Sequence, residues 1–215
     1  MSSTETPVAH SPISPPDPVV RDGWEVSARR STADLTLADE TSLAKILVRG
    51  PFDGAVRDVV GTRFGRAAHT EQFGARVLAV GSGPGEWLVI GVTGTGDILR
   101  SHLEATTGKT KEFTSVVDLT HGRALMRLRG RRSADVLSKL CGIDLRDDAV
   151  PDGAALRTSV AGIATDLIRD DGTRTGGPSY LLHCERSSGQ YLFDTILDAG
   201  AEFGIEVTGP DGDGD

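Results

Sequence analysis

The sequence predicts an α+β fold of two tandem ferredoxin-like halves, each with the element order βαββαβ. The clearest evidence lies in the second half, where residues 124–142 and residues 179–200 share one pattern. Each stretch has a short strand, a polar turn and an amphipathic helix closed by glycine. The first half contains a weaker copy of both stretches, which indicates a duplicated fold.

The copies align without gaps and in the same order along the chain. The aligned ranges are 48–61 with 128–141, and 87–105 with 180–198. Trp87 then corresponds to Tyr180 and Val56 to Val136, so aromatic and apolar positions are kept. Two matches in the same order favour an internal duplication. Chance similarity of apolar patterns is the alternative, because few of the aligned residues are identical.

The elements of the first half follow from apolar runs separated by turns. Leu43, Ile46 and Val48 indicate the first strand, and the glycine-rich residues 81–85 indicate a hairpin connection between two later strands. In order, we expect a strand at 41–50, a helix at 54–60, strands at 76–80 and 86–92, a helix at 97–105 and a strand at 115–119.

The second half repeats this order from residue 124. Ala124, Met126 and Leu128 alternate with polar neighbours, as a strand with one buried face requires. In order, we expect this strand, a helix at 133–140, a strand near 156–168, a polar loop at 170–177, a strand at 180–184, a helix at 189–199 and a strand at 205–208. The two halves are expected to extend one another's sheets, with helices covering one face.

These patterns divide the chain into four segments. They are a disordered Pro- and Ser-rich tail at residues 1–18, a first half with its N-terminal lead-in at residues 19–120, a second half at residues 121–209, and an acidic tail at residues 210–215. Within the lead-in, Trp24 is the residue expected to anchor the chain to the body.

The charge balance and the cysteines limit the class of protein. The chain has 23 Lys and Arg against 31 Asp and Glu, a net charge of −8, which argues against nucleic-acid binding. Its longest apolar run is far shorter than the ~20 residues of a membrane span, and no signal segment opens the sequence. Cys141 and Cys184 stand apart, so free thiols in a reducing cytoplasm are expected; a disulfide or metal pair is the alternative.

No residue set in the sequence completes a catalytic, cofactor-binding or metal-binding site. Residues 81–85 precede a strand instead of a helix, so they indicate a turn and not a nucleotide loop. The five histidines show no metal-ligand spacing, and His121 lacks a partner that would make it a general base. Asp166, Asp170 and Asp171 are expected to be solvated at a hairpin end.

Four arginines form a local basic cluster in this acidic chain: Arg127, Arg129, Arg131 and Arg132. Three interpretations stay open, namely a solvated sheet face, a salt-bridging patch for another subunit, and an anion site for phosphate or a polyglutamate tail. Arginine suits the second because its planar guanidinium pairs with carboxylates across an interface. The four residues are therefore the candidate subunit interface.

Several longer motifs resemble a known family. They are GEWLVIG at 85–91, VVDLTHGRALMRLRG at 116–130, LSKLCGIDL at 137–145 and PSYLLHCERSSGQYLFDTILDAG at 178–200. Together they resemble the gamma subunit of heterotetrameric sarcosine oxidase, which is similar in turn to the folate-binding domain of glycine-cleavage T-protein. The resemblance covers about residues 19–207, and T-protein-like enzymes are much longer and carry an additional C-terminal barrel.

The resemblance implies a T-protein-like fold and a structural role in a complex with alpha, beta and delta subunits. That complex oxidises sarcosine to glycine and hydrogen peroxide and passes the one-carbon unit to tetrahydrofolate. FAD, FMN, NAD, tetrahydrofolate and zinc belong to the partner subunits, and the gamma subunit carries no known catalytic residue.

Two other functions remain as alternatives. A stand-alone folate-binding one-carbon transferase or folate-dependent repair protein would need a carboxylate in the cavity between the halves. An RNA-binding module would need exposed aromatic side chains on its central strands, and the sequence offers only Trp87 and Tyr180 there.

Overall fold

The computed structural model describes residues 7–72, 74–172 and 177–210. The predicted tails at residues 1–6 and 211–215, and part of the predicted polar loop at residues 173–176, lie outside the described residues. The strands are β1 (Ala9–His10), β2 (Pro18–Arg21), β3 (Trp24–Ser27), β4 (Leu35–Asp39), β5 (Ala44–Arg49), β6 (Ala67–Gln72), β7 (Ala75–Gly83), β8 (Glu86–Gly91), β9 (Ser115–Asp118), β10 (Arg123–Gly130), β11 (Ala155–Val160), β12 (Ile163–Arg169), β13 (Ser179–Glu185) and β14 (Glu206–Thr208). The α-helices are α1 (Val56–Val60), α2 (Gly96–Thr107), α3 (Ser133–Ser138) and α4 (Gly189–Gly200).

The first sheet has five antiparallel strands in the order β6-β7-β8-β5-β9. Helices α1 and α2 cover one of its faces, because every second strand residue is apolar and meets the apolar stripes of the helices. Val56 and Leu99 of the helices pack there with Ile46, Trp87 and Val89 of the strands. Without β6, the strand order is that of a ferredoxin-like half.

The second sheet has six strands in the order β11-β12-β13-β10-β4-β14. Helices α3 and α4 cover one face, where Val136 and Leu192 pack with Met126, Leu128 and Leu182. The aligned copies found in the sequence coincide with equivalent elements, since α2 and α4 occupy the same positions in them. The α+β fold of two ferredoxin-like halves is therefore confirmed.

Each half contains one strand more than predicted, which makes the order βαβββαβ. Strand β6 was not predicted, because its sequence AAHTEQ has almost no apolar alternation. The single strand expected near 156–168 is two strands, β11 and β12, which pair as a tight hairpin. Ala161 and Gly162 form its turn with φ of 51° and 81°, a left-handed conformation that strand residues do not adopt.

The lead-in contributes a strand to the second sheet, whereas the prediction placed it with the first half. Strand β4 lies between β10 and β14, antiparallel to the former and parallel to the latter. Leu35 and Leu37 alternate along β4 and are buried in the core of the second half. The strand occupies this position because its apolar face completes that core.

The two sheets stay separate and pack against one another, instead of extending one another as the sequence suggested. Their facing residues form a third apolar cluster that includes Leu78, Val80, Leu125, Ile168 and Leu181. These residues alternate with those that face the helices, so each central strand is buried on both faces. The molecule is thus layered, with helices outside and two sheets inside.

Residues 7–18 contact the body, so the predicted disorder is wrong for this described part of the N-terminal segment. Ile13 is 1% exposed and belongs to the core of the second half. The backbone N–H of Ser14 donates to the side chain of Gln190 at 2.7 Å. Strands β1, β2 and β3 form a small sheet, in which Trp24 is buried as expected.

Candidate functional site

A row of polar side chains crosses the second sheet on the face that meets the first sheet. The strand register places Arg157 opposite Asp166, and Asp166 opposite His183. Arg157 Nε donates to Asp166 Oδ1 at 2.8 Å, and His183 Nδ1 lies 3.0 Å from Asp166 Oδ2. Three neighbouring strands therefore hold these side chains at fixed separations.

The same row reaches the first sheet through Glu86. Arg157 Nη1 donates to Glu86 Oε2 at 2.9 Å, and Arg49 Nε donates to Glu86 Oε1 at 2.8 Å. The side chains line a cavity of about 160 Å³ between the sheets. Organic ligands usually occupy cavities of about 300–1,000 Å³. The row therefore links two sheets around a cavity that suits water better than an organic substrate.

The protonation states in this row follow from burial and from the ion pairs. Burial alone would raise the pKa of Asp166, but the hydrogen bonds from His183 and Arg157 lower it below its usual value. Burial lowers the pKa of His183, so its imidazole is neutral at pH 7 and Nδ1 donates to the carboxylate. His183 Nε2 is buried and has no hydrogen-bond partner among the described residues.

Lys45 is a further buried polar side chain between the sheets. Its Nζ donates to the backbone carbonyls of Thr41 at 2.6 Å and Leu43 at 2.8 Å. Burial lowers the pKa of Lys45 to about 7, although the charges of Asp39 and Asp118 act in the opposite direction. Amines with such a depressed pKa can act as bases or nucleophiles when a substrate reaches them, but this one is 0% exposed.

Arg127 lies in an internal ion-pair network. Its Nε donates to Glu40 at 2.8 Å, and its Nη1 donates to Asp170 at 3.0 Å and to Ser179 at 2.9 Å. His69 Nε2 lies 2.9 Å from the other oxygen of Asp170. Burial opposes ionisation of Arg127, but the two carboxylates raise its pKa further above its usual range. Its guanidinium is thus occupied within the chain.

The other arginines of the candidate interface lie in different surroundings. Arg129 is half-buried on the same strand face as Arg127. Arg131 is exposed. Arg132 is also exposed, where it pairs with Asp135 at 3.0 Å and lies 4.4 Å from the ring centre of Phe203. The structure therefore does not bring the four residues together as one surface, and an interface at Arg131 and Arg132 stays a prediction.

The prediction of solvated carboxylates at the hairpin end is wrong for Asp166 and Asp170. Their side chains are 12% and 9% exposed, and each pairs with an arginine and a histidine. Asp171 is more exposed and pairs with Arg169. The acid–base partners that the sequence did not reveal are His183 and His69, which become neighbours only through strand pairing and sheet packing.

The remaining candidate residues are His121, Gly81 and the two cysteines, and their contacts are those of packing. His121 stacks on Trp24, with ring centres 4.8 Å apart, and so helps to fix the lead-in. Gly81, which was predicted to lie in the strand connection, lies inside β7 beside a β-bulge, and a Cβ there would overlap the backbone of Arg63. Cys141 and Cys184 are free thiols, and burial raises the pKa of Cys184 to about 11.

Sequence reasoning missed Lys45 and the pair of His183 with Asp166. One signal was available, because Lys45 and His183 each interrupt an otherwise apolar strand (AKILVR and SYLLHCE). A polar residue within a buried run needs a partner. Which partner it has depends on strand register, which a single sequence does not specify.

Metal-ligand clusters and membrane-spanning helices are both absent from the described residues. No group of three or more His, Cys, Asp or Glu side chains there is placed to hold a metal ion. Among the same residues, no helix combines the length and apolar composition needed to cross a membrane.

Comparison with known proteins supplies the family context. A family model described as the GCVT N-terminal domain matches residues 82–211, which is more than half of the chain. No curated protein matches the sequence.

Two solved structures share the fold at low sequence identity. A chain of heterotetrameric sarcosine oxidase from Corynebacterium sp. U-96 superposes with a TM-score of 0.65 at 22% identity, covering 79% of this chain and 85% of that chain. Glycine cleavage system aminomethyltransferase T from Bartonella henselae superposes with a TM-score of 0.67 at 16% identity, covering 89% of this chain. This protein spans only 55% of the aminomethyltransferase chain.

Proposed function

The chain belongs to the GCVT N-terminal domain family, and from this premise we propose that it is a structural subunit of a heterotetrameric sarcosine oxidase, corresponding to the gamma subunit. Its partners would be the alpha, beta and delta subunits, in the cytoplasm. The complex would oxidise sarcosine to glycine, form hydrogen peroxide and transfer the one-carbon unit to tetrahydrofolate. This chain would contribute no catalytic residue.

The observation that carries this proposal is the extent of the two structural matches. The match to the sarcosine oxidase chain covers most of both chains, so the two are of similar length. The match to the aminomethyltransferase leaves almost half of that longer chain without a counterpart. The match to a chain of a heterotetrameric complex therefore supports an assembly role for this fold.

The interior between the sheets supports the same proposal. The carboxylates there, Asp166 and Glu86, are already bound by Arg157, and Glu86 is also bound by Arg49. A bound folate would need a free carboxylate and a cavity several times larger than the 160 Å³ present. The small cavity and the paired carboxylates support the proposal that FAD, FMN, NAD, tetrahydrofolate and zinc are held by the partner subunits.

Co-expression tests the proposal. The tagged chain is produced together with alpha, beta and delta subunits of a sarcosine oxidase from the same organism, and the bound polypeptides are identified after affinity purification. We expect a stoichiometric complex with sarcosine oxidase activity. The double variant Arg131→Glu with Arg132→Glu should reduce recovery of partners if the predicted interface is correct. A monomer that leaves all three partners behind would contradict the assembly role.

Folate binding by this chain alone is the second candidate, because the family and the aminomethyltransferase fold both favour it. Isothermal titration of the purified chain with tetrahydrofolate distinguishes the two functions. The assembly role predicts no saturable heat, whereas micromolar binding by the isolated chain would favour a stand-alone transferase or repair protein.

A further inference from the structure

An open groove of about 960 Å³ lies where the two halves meet. We call it the seam groove, and it is lined by Arg57, Asp58, Gly61, Thr62, Arg63, Arg66, Ala67, Ala68, Asp152 and Gly153. One wall follows the end of α1 and the segment before β6, and the other is the turn that precedes β11. Its volume is within the range of binding sites, unlike that of the cavity between the sheets.

Backbone hydrogen bonds hold the two walls together. The N–H of Ala67 donates to Gly153 at 2.7 Å, and the N–H of Ala155 donates to Gly65 at 3.1 Å. An isolated β-bridge also joins Arg66 to Ala154. Because both halves contribute to it through fixed backbone contacts, the groove is a preformed feature that requires the assembled fold.

The groove carries unsatisfied positive charge. Arg63 and Arg66 are exposed, and neither forms an ion pair with any of the described residues. Within the described part of the chain, Arg57 pairs only with the exposed Asp58, at 3.2 Å. A smaller adjoining cavity shares Ala67, Ala68, Asp152 and Gly153 with the groove and adds Arg76, which also has no ion-pair partner among the described residues. Such guanidinium groups favour carboxylates, which they bind in pairs of hydrogen bonds.

An exposed aromatic pair lies outside the lining of the groove, and one of its members is the chain neighbour of Arg63. Phe64 lies between Arg63 and Arg66 in the chain and is 50% exposed, and Phe52 is 52% exposed. Their rings meet edge to face, with centres 6.4 Å apart. Exposed aromatic side chains beside arginines are typical of protein interfaces, and a small anion such as phosphate would leave these rings uncovered.

We propose that the seam groove is the docking site for an acidic segment of a partner subunit, whose carboxylates pair with Arg63 and Arg66 while an apolar side chain covers Phe52 and Phe64. This inference rests on the proposed assembly role. It places a contact with the partner where the two halves join, so the groove is complete only when both halves have folded.

A peptide probe tests the groove directly. A short fluorescein-labelled peptide of Asp, Glu and Phe is titrated against the full chain and followed by fluorescence anisotropy. The double variant Arg63→Glu with Arg66→Glu should weaken binding by about tenfold or more, since both charge pairs become repulsive. The control, Lys109→Glu with Lys111→Glu, makes the same charge change at exposed residues outside the groove and should bind like the original chain. Equal affinity of all three proteins overturns the inference.

The co-expression experiment then separates the inference from the proposed function. If the original chain recovers its partners and the groove variant does not, while the control does, both stand. If the original chain recovers no partner but the peptide result holds, the assembly role fails and the acidic-segment site remains. Full recovery of partners by the groove variant overturns the docking assignment.

Two controls complete the test. A milder double variant, Arg63→Gln with Arg66→Gln, is used if the charge reversal unfolds the chain, and it should weaken the peptide in the same direction. Removal of the chain's own acidic residues 211–215 should not change peptide affinity. A gain in affinity on that removal would identify the tail as the occupant and overturn the assignment to a partner subunit.

Discussion

Each sheet contains a pair of residues on neighbouring strands that faces the other sheet, and the two pairs occupy equivalent positions in the two halves. The pairs differ in which member is polar. In the first sheet Lys45 lies opposite Ile90, and in the second Leu125 lies opposite His183. The alignment of 87–105 with 180–198 places Ile90 at His183, and the alignment of 48–61 with 128–141, continued towards the N-terminus, places Lys45 at Leu125. All four residues are buried between the sheets. A polar side chain and an aliphatic side chain have therefore exchanged places between the copies.

The polar members have hydrogen-bond partners in different parts of the chain. Lys45 donates to the carbonyls of Thr41 and Leu43, which precede its own strand. His183 depends on Asp166, a side chain of the neighbouring strand β12. The charge of Lys45 also helps to lower the pKa of His183, after the larger effect of burial. The two sites are thus electrostatically coupled across the layer between the sheets.

This difference shows which properties the two copies share and which property differs between them. Both copies keep the backbone, the strand register and the burial of each position. Polarity is free to change wherever a nearby acceptor offsets the cost of removing a polar group from water. Equivalent positions in a duplicated fold therefore need not share a chemical role.

The largest expected effect on stability comes from removing Asp166, the carboxylate that accepts the hydrogen bond of His183. Asp166→Asn should lower the free energy of unfolding by about 3 kcal/mol, because it leaves His183 and one bond of Arg157 without a charged acceptor. Urea unfolding at pH 7.5 measures it. The matched variant Asp144→Asn removes a carboxylate from an exposed pair with Arg146 and should cause no measurable change. Equal effects of the two variants would show that the buried row does not stabilise the fold.

Lys45, the polar member of the pair in the first sheet, should make the free energy of unfolding depend on pH. The pKa of Lys45 is lowered to about 7 in the folded chain and is about 10.4 when unfolded, so the unfolded state binds more protons between these values. Stability should therefore rise with pH across that window, by on the order of 2 kcal/mol from pH 7 to 9. Lys45→Met should flatten this rise, while the exposed Lys109→Met should keep it. Urea titrations at several pH values compare them, and an unchanged slope in Lys45→Met would exclude Lys45 as the cause.

The smallest expected effect concerns another equivalent pair, Trp87 and Tyr180. Trp87 Nε1 donates to the carbonyl of Thr62 at 3.0 Å, whereas the buried Tyr180 hydroxyl has no hydrogen-bond partner among the described residues. Tyr180→Phe should thus be neutral or stabilising by up to about 1 kcal/mol, and Trp87→Phe should be destabilising. Thermal unfolding of both variants tests this; a clear loss of stability in Tyr180→Phe would mean that its hydroxyl is satisfied.

Local patterns predicted the repeated elements and failed where the pattern was weak. The stripes of α2 and α4 and the alternation in β10 identified the ferredoxin-like halves, because periodicity reports directly on which face is buried. Strand β6 escaped prediction since it lies at a sheet edge and half its residues face solvent. The turn at Ala161 escaped since it needs a left-handed alanine, which sequence patterns do not indicate.

The sequence by itself determined the four helices, most strands of the two halves and their repeated order. The tertiary structure decided that β4 joins the second sheet, that Arg127 pairs internally with Glu40 and Asp170, and that Arg63 and Arg66 line a groove. The physical reason is the range of the interactions. Periodicity is a pattern of residues that lie a few positions apart in the sequence. Ion pairs and grooves are formed by residues that become neighbours only when strand register and sheet packing are set.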